Sequence, residues 1–184
     1  MERTVRVSDV MTHEVVTTRP DARLDEAGRL MRELHVSGLP VIAPDGRVVG
    51  VLSEKDLVRK LDLSSGVSSP RGLLDLLFES APKNGPSLLD LCRRRLEKAF
   101  VRDAMTSPAI TTSPAATAAD AARTMYLHRI HRLPVVDDLG RPAGIVTRID
   151  LIAASVPAAE RRRGALRPRH AHAPRAPADP FGDA

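Results

Sequence analysis

The chain contains one segment twice. Residues 7–58 align with residues 101–152 at a constant offset of 94 residues without a gap, and 19 of the 52 aligned pairs are identical. A long internal repeat constrains the fold more than any single motif, because both copies must adopt the same local structure. Each copy has only about 50 residues, too few to bury a large core alone. We therefore expect the two copies to pack on each other with pseudo-two-fold symmetry.

The composition limits the core and the possible partners. The 184 residues include three Phe, one Tyr and no Trp, so the core must be built from aliphatic side chains. Proteins that bind single-stranded nucleic acid stack bases on aromatic side chains, and the scarcity of aromatics counts against that class. The net charge is +5, of which residues 160–184 carry +3. The basic character therefore lies mainly in the tail rather than in the folded part.

The cysteine content and the apolar runs indicate the compartment. Cys92 is the only cysteine, which excludes an intramolecular disulfide and fits a reducing environment. The first six residues are polar, and no apolar run approaches the length of about 18 residues that is typical of a membrane span. These observations predict a soluble, cytoplasmic protein that does not enter a membrane.

Each copy predicts the element order β-α-β-β-α, which is an α+β pattern. A short turn leads to a β-prone stretch (15–17 or 109–111), and a helix follows Pro20 or Pro114. Two apolar strands around a glycine-containing turn come next, and a second helix begins at Ser53 or Thr147. Apolar residues with helical spacing form one stripe on the first helix of each copy. They are Leu24, Ala27, Leu30, Met31 and Leu34 in one copy, and Ala118, Ala121, Ala122, Met125 and Leu127 in the other.

We divide the chain into a first repeat (1–61), a helical connector (62–100), a second repeat (101–157) and a tail (158–184). The tail is rich in Arg, Ala and Pro, and it is predicted to be disordered. The connector has a loop at residues 64–70 and two amphipathic helices, which we expect to pack on the repeats. Docking of a partner protein on the connector is the alternative. The helices are Leu73–Phe78 and one that a capping box opens at Ser87, with Leu88, Leu91, Cys92, Leu96 and Phe100 on its apolar face and Arg93, Arg94 and Arg95 solvated.

The sharpest chemical pattern is Gly-h-h-[Ser/Thr]-x-x-Asp, where h is apolar, and it occurs once in each copy. Ser53 and Thr147 lie where a strand gives way to a helix, with Asp56 and Asp150 three residues later. A Ser/Thr-x-x-Asp sequence at that point is typical of a capping box. The same geometry suits a nucleotide, because a helix N-terminus favours phosphate and a carboxylate can accept hydrogen bonds from ribose hydroxyls. Both interpretations can hold for one site.

Several motifs in both copies resemble those of the cystathionine-β-synthase (CBS) domain family. They occur twice in the same order and cover about residues 7–60 and 101–154, more than half of the chain. The resemblance implies a Bateman module, in which two β-α-β-β-α units join through their sheets and hold adenosine-nucleotide clefts between them. Such modules often form dimers. The motifs are Asp9–Thr12, Thr17–Asp21, His35–Val41 and Gly50–Leu57 in the first copy, and Arg102–Thr106, Ile130–Asp137 and Gly144–Leu151 in the second.

The resemblance assigns roles to individual residues. Asp56 and Asp150 match the ribose-binding acid of the family, and Ser53 and Thr147 match its hydroxyl near ribose and phosphate. The segments that match the first strand, which borders the adenine, are Val16, Thr17 and Thr18 and, in the second copy, Ile110, Thr111 and Thr112.

The copies differ immediately before their Leu-Pro-Val motif. His131 and Arg132 in the second copy resemble the phosphate-contacting His-Arg pair of nucleotide-sensing members of the family. Ser37 and Gly38 stand at the same place in the first copy and carry no charge. The resemblance therefore implies stronger phosphate contacts in the second copy. A solvated strand entrance is the alternative interpretation of His131 and Arg132.

The sequence predicts a non-catalytic regulatory module. The six histidines show no convincing metal spacing, and there is no Gly-x-Ser-x-Gly elbow or Walker lysine loop. We expect no required cofactor, an adenosine nucleotide (AMP, ADP, ATP or an adenosyl ligand) as the regulatory ligand, a homodimer and an unidentified protein partner. One alternative is a ligand-free dimerisation or adaptor module. The other is a nucleic-acid-associated factor that acts through the basic tail.

Overall fold

The repeat gives two copies of a helix, a β-hairpin and a second helix, joined by a helical connector. The computed structural model describes residues 4–61, 70–79 and 88–156. Short 3-10 turns (Val7–Asp9 and Val101–Asp103) open each copy. The elements in chain order are α1 (Leu24–Glu33), β1 (Gly38–Ile42), β2 (Val48–Ser53), α2 (Glu54–Lys60), α3 (Pro70–Glu79), α4 (Leu88–Lys98), α5 (Ala118–His128), β3 (Arg132–Val136), β4 (Pro142–Thr147) and α6 (Arg148–Ser155).

Each hairpin follows from its sequence pattern. β1 and β2 pair antiparallel, with Gly38 opposite Ser53 and Val41 opposite Gly50. The turns contain Gly46 and Gly140, whose φ angles of 85° and 77° lie in the left-handed region that favours glycine. The hairpins bury aliphatic side chains, as the composition predicts. Leu39, Val41 and Leu52 of the first hairpin and Leu133, Val135 and Val146 of the second are fully buried.

The predicted first strand of each copy is wrong as a full strand, because only one residue pairs. Thr18 makes a single parallel bridge to Val41: its N–H donates to Pro40 O at 3.0 Å, and its carbonyl accepts from Ile42 N at 2.8 Å. Extending a parallel ladder toward Val16 would require an N–H donor at Pro40, and proline has none. Thr112 repeats this bridge with β3, where Pro134 has the same effect. The Leu-Pro-Val motif therefore limits the strand.

The described residues form two compact units that are not the two sequence repeats. The first-repeat unit takes its residues from Thr17–Ile110 and Asp138–Pro142, and the second-repeat unit from Met1–Val16, Thr111–Asp137 and Ala143–Ala184. The opening segment of the first repeat (residues 7–16) thus lies in the second-repeat unit, and that of the second repeat (residues 101–110) lies in the first-repeat unit. Their register is the same: Thr106 pairs with Val51 in the first-repeat unit, and Thr12 pairs with Ile145 in the second.

The Gly-h-h-[Ser/Thr]-x-x-Asp motif begins with glycine because the backbone of the opening segment passes close to that residue. A Cβ atom on Gly144 would lie 2.7 Å from Met11 Sδ and 2.9 Å from the carbonyl oxygen of Thr12. A Cβ atom on Gly50 would meet Met105 and Thr106 in the same way, at 2.8 and 2.9 Å. Only a residue without a side chain lets the crossed segment reach the strand. The Met-Thr pair of each opening segment therefore packs directly against the strand glycine of the other repeat.

The connector helices cover the helices of the first repeat, which confirms the predicted packing. α3 and α4 pack on α1, α3 also packs on α2, and Leu74, Leu77 and Leu96 are buried. Two details were predicted wrongly. Leu91 is 58% exposed. Arg93 is half-buried, because its guanidinium donates to the Leu77 carbonyl and to Asp90. Pro70, which was predicted to end the 64–70 loop, begins α3. The rest of that loop, the Ser87 cap and the 158–184 tail lie outside the described residues.

The stripe predicted on α5 is buried only in part. Ala121 and Met125 are buried, but Ala122 and Leu127 are exposed. The reason is that α3 and α4 belong to the first-repeat unit. Among the residues that the structure describes, the second-repeat unit has no equivalent pair of helices to cover α5 and α6.

Substituting Gly144 by alanine is expected to destabilise the protein. The new methyl group would overlap a backbone carbonyl that cannot move aside, so Gly144→Ala should lower the free energy of unfolding by about 1–3 kcal/mol. Urea denaturation followed by circular dichroism measures this change. Ala143→Ser is the matched control, because it adds one atom on the opposite face of the same strand. Equal stability of Gly144→Ala and the wild type would contradict the close approach.

Candidate functional site

The two Ser/Thr-x-x-Asp motifs form caps at the starts of α2 and α6. Ser53 ends β2, and Asp56 Oδ2 accepts from the Ser53 backbone N–H at 2.8 Å and from its Oγ at 2.6 Å. Asp150 Oδ2 accepts from the N–H and the Oγ1 of Thr147, both at 2.7 Å. The Thr147 hydroxyl also accepts from Asp150 N at 3.4 Å. Each acid is thus held in place by the chain, and the carboxylate faces the junction between strand and helix.

In each unit, the threonine segment borders the first strand of the hairpin, and the cap follows the second strand. Thr18 is paired with Val41, which puts Thr17 level with Pro40, and β1 places Gly38 opposite Ser53. The threonines and the cap are therefore separated by two strand spacings of about 4.8 Å each and, in addition, by two to three residues along β1. Thr111 and Thr112 border β3 in the same register. The structure therefore brings these sequence-predicted residues together within each unit.

Val16 and Ile110 stand apart from the threonines that follow them. Val16 is the last residue of the opening segment in the second-repeat unit, and Ile110 occupies the same place in the first-repeat unit. Both side chains are half-buried. Each predicted adenine-bordering segment is thus divided at the point where the chain passes from one unit to the other.

His131 and Arg132 precede and begin β3. The His131 carbonyl accepts from Arg148 N at 3.0 Å, which joins the start of β3 to the start of α6. Ser37 makes the same backbone contact with Glu54 in the first-repeat unit. His131 is exposed and Arg132 is half-buried. His131 and Arg132 therefore lie beside the start of α6, where the first-repeat unit has Ser37 and Gly38.

The two acids differ in one contact that the sequence reasoning missed. Asp56 Oδ1 lies 2.8 Å from an Arg59 guanidinium nitrogen, which also donates to the Ala104 carbonyl at 3.2 Å. The offset of 94 residues puts Ala153 at the position of Arg59 in the second repeat. Comparing the residues three places after each aspartate would have revealed this difference.

A groove of about 840 Å³ lies between α5 and α6 and includes Tyr126, Leu127, His131 and Ile152. Neither Thr147 nor Asp150 lines it. The groove is mostly apolar, whereas the caps present hydroxyl and carboxylate oxygens. We therefore treat the cap region as the candidate ligand site and the groove as a separate surface.

Other chemistry has little support in the described part of the chain. No group of three or more His, Cys, Asp or Glu side chains there could hold a metal ion. Burial raises the pKa of the Cys92 thiol, and the nearby charge of Arg95 lowers it by less. The thiol is therefore a poor nucleophile at neutral pH. No helix among the described residues has the length and apolar character needed to cross a membrane.

The family model for the CBS domain matches residues 7–63 and again residues 101–157. The chain belongs to the CBS domain family. The two matches coincide with the two copies of the repeat, which confirms the tandem CBS pair predicted from the motifs.

Comparison with known proteins gives similar pairs. An uncharacterised protein of Methanocaldococcus jannaschii is 39% identical over 155 residues, which cover 82% of this chain and 90% of that protein. CBSX2, a CBS-pair protein of Arabidopsis thaliana whose crystal structure contains AMP, is 29% identical with a TM-score of 0.61, covering 82% of this chain and 95% of that chain. The CBS domain of a membrane protein from Sphaerobacter thermophilus is 31% identical with a TM-score of 0.61, covering 82% and 87%. The α+β fold of a CBS pair is thereby confirmed.

Removal of the Asp150 carboxylate is expected to weaken the α6 cap even without ligand. Asp150→Ala leaves the Thr147 N–H without its acceptor and should lower the free energy of unfolding by about 1–2 kcal/mol. Asp150→Asn keeps one oxygen acceptor and should lose less. Thermal denaturation of both variants, with the exposed Asp138→Ala as control, measures the difference. An equal loss in both variants would show that a neutral oxygen acceptor does not hold the cap and that the negative charge of Asp150 is required.

Proposed function

We propose that this protein is a non-catalytic regulatory module that binds an adenosine nucleotide, or a related adenosyl ligand, at the capped aspartates of its two repeats. The observation that carries the proposal is that each unit has a carboxylate held by the chain where the second hairpin strand ends and a threonine pair bordering the first hairpin strand. The AMP complex of CBSX2, a CBS pair 29% identical to this chain, supports the ligand class.

The chemistry of the second-repeat site suits a ribose and a phosphate. The Asp150 carboxylate accepts hydrogen bonds from vicinal ribose hydroxyls, and the Thr147 hydroxyl lies beside it. His131 and Arg132 supply donors and positive charge for a phosphate next to the start of α6. Thr111 and Thr112 border the adenine. At the first-repeat site Asp56, Ser53, Thr17 and Thr18 play the same parts without the cationic pair.

Ligand binding acts on the chain by shifting an equilibrium. A ligand can favour one arrangement only to the extent that it binds that arrangement more tightly than the alternative. An adenosine ligand that contacts the cap and the threonine segment binds within one unit, beside the point where the chain enters that unit at Thr17 or Thr111. We propose that this bias is the regulatory signal, which a protein partner reads.

Thermal melts with candidate ligands test the proposed function. AMP, ADP, ATP or S-adenosylmethionine that binds the native state should add about 2.7 kcal/mol of stability at 100 times its dissociation constant, and the melting temperature should rise. Asp150→Asn, which is expected to preserve the fold, should reduce the rise. Cyclic dinucleotides serve as a comparison ligand class. No rise with any adenosine ligand at millimolar concentration would leave the ligand-free adaptor as the better explanation.

The exposed face of α5 and α6 supports a second part of the proposal, a homodimer. Tyr126 is 83% exposed, and Leu127, Ile149 and Ile152 are 59–63% exposed. At the matching positions of the first repeat, Arg32, Glu33 and Lys55 stand in place of the first three. A contiguous apolar face, where the other copy is charged, is typical of an interaction surface. We call it the α5–α6 face.

The charges around this face favour a second copy of the chain as its partner. Asp120 lies near the N-terminus of α5, and His128 and Arg129 lie at its C-terminus. A two-fold axis that sets two α5 helices antiparallel brings Asp120 of one copy near Arg129 of the other. The helix dipoles then also pair favourably. We therefore propose an isologous dimer through the α5–α6 face.

A variant that carries the residues of the first repeat tests the dimer. Tyr126→Arg, Leu127→Glu and Ile149→Lys combined should convert the dimer to a monomer, because charged side chains replace the apolar face. Light scattering coupled to size-exclusion chromatography measures the mass. Leu139→Asp is the matched control: Leu139 is also exposed (58%), and the first repeat has Asp45 there. A monomeric wild-type protein, or a dimer that survives the triple substitution, would contradict this interface.

A further inference from the structure

We infer that Arg59 holds the first-repeat site in a less accessible state, so that the second-repeat site binds ligand more tightly. This inference rests on the proposed function, because it concerns which of the two aspartates receives the ribose. It starts from a contact that one repeat has and the other lacks, within two motifs that are otherwise alike.

Asp56 has donors on both of its oxygens. Oδ2 accepts from the N–H and the hydroxyl of Ser53, and Oδ1 accepts from the Arg59 guanidinium at 2.8 Å. The Asp56 side chain is 7% exposed. The same guanidinium nitrogen donates to the Ala104 carbonyl, which holds Arg59 over the acid. Little of this carboxylate therefore remains for ribose hydroxyls.

Asp150 keeps one oxygen for a ligand. Its Oδ2 is engaged by Thr147 as in the first repeat, but no donor in the described part of the chain lies within hydrogen-bond distance of its Oδ1. Asp150 is half-buried, whereas Asp56 is buried. The difference follows from Ala153, which replaces the guanidinium of Arg59 by a methyl group.

The ion pair opposes binding because ribose hydroxyls are donors that need the same acceptor. A ligand at Asp56 must break the charge-assisted bond to Arg59 or share its oxygen. The Arg59 side chain is 66% exposed, and ion pairs with an exposed partner have modest strength. We therefore expect a difference of about 3- to 10-fold in the affinity of the Asp56 site rather than complete closure.

Reciprocal substitutions between the repeats test this role. With Asp150→Asn as the background, the second-repeat site is weakened, and Arg59→Ala should tighten the dissociation constant of the first-repeat site for adenosine by about 3- to 10-fold. With Asp56→Asn as the background, Ala153→Arg should weaken the second-repeat site by a similar factor. Isothermal titration calorimetry measures both. Adenosine is the first probe because it has no phosphate for Arg59 to attract, and AMP is the second.

Two further variants separate the proposed contact from other effects. Lys60→Ala removes the neighbouring positive charge, which does not contact Asp56, and should leave adenosine binding unchanged. Arg59→Gln removes the charge but keeps most of the side chain, so it replaces Arg59→Ala if that variant unfolds. Melting curves without ligand verify the fold of each variant.

The outcomes distinguish this inference from the proposed function. Adenosine binding that Arg59→Ala leaves unchanged or weakens would overturn the role of Arg59 while the proposed function stands. Weaker AMP binding together with tighter adenosine binding would support the contact and show that Arg59 also attracts phosphate. Absence of adenosine and AMP binding in the wild type and in all variants would overturn both the proposed function and this inference.

Discussion

The structure depends on an exchange of chain segments between the repeats: the residues that open each repeat pair with a strand of the other repeat. Met11 and Thr12 reach β4 of the second repeat over Gly144, and Met105 and Thr106 reach β2 of the first repeat over Gly50. Each unit therefore completes its sheet with backbone from the other repeat. A repeat cut out alone would lose its partner segment and expose an unpaired strand edge. The two copies are consequently one folding system, although each contains its own hairpin and helices.

Local sequence patterns predicted most of the elements, and the misses have physical causes. Periodicity and the turn glycines placed the helices and hairpins, because these depend on neighbouring residues. The first strand was overestimated because Pro40 and Pro134 act on a partner strand far away in sequence. Arg93 was expected in solvent because a run of arginines says nothing about the Leu77 carbonyl that accepts from it. Non-local contacts of this kind leave no periodic signal.

In the candidate site, too, local patterns were predicted from the sequence and one specific contact was not. The sequence predicts the capping box because the hydroxyl residue and the aspartate lie three residues apart in each repeat. The resemblance to the CBS family then implies the ribose role of the aspartate. The Asp56–Arg59 contact was readable in principle, since it too spans three residues. It lies outside the Gly-h-h-[Ser/Thr]-x-x-Asp motif, which ends at the aspartate. In a repeat protein, shared residues describe the common fold, and the positions that differ describe how each copy is used.

The cap and the proposed ligand site depend on each other. Asp150 uses Oδ2 to hold the start of α6, so its position is fixed before a ligand arrives. A pre-positioned acceptor loses little conformational entropy on binding, which favours affinity. Asp56 is fixed in the same way, but its remaining oxygen is neutralised by Arg59. One substitution at the equivalent position, Ala153 against Arg59, thus changes the ligand-facing oxygen without disturbing the cap. A duplicated module can in this way acquire two unequal sites while both copies keep the same fold.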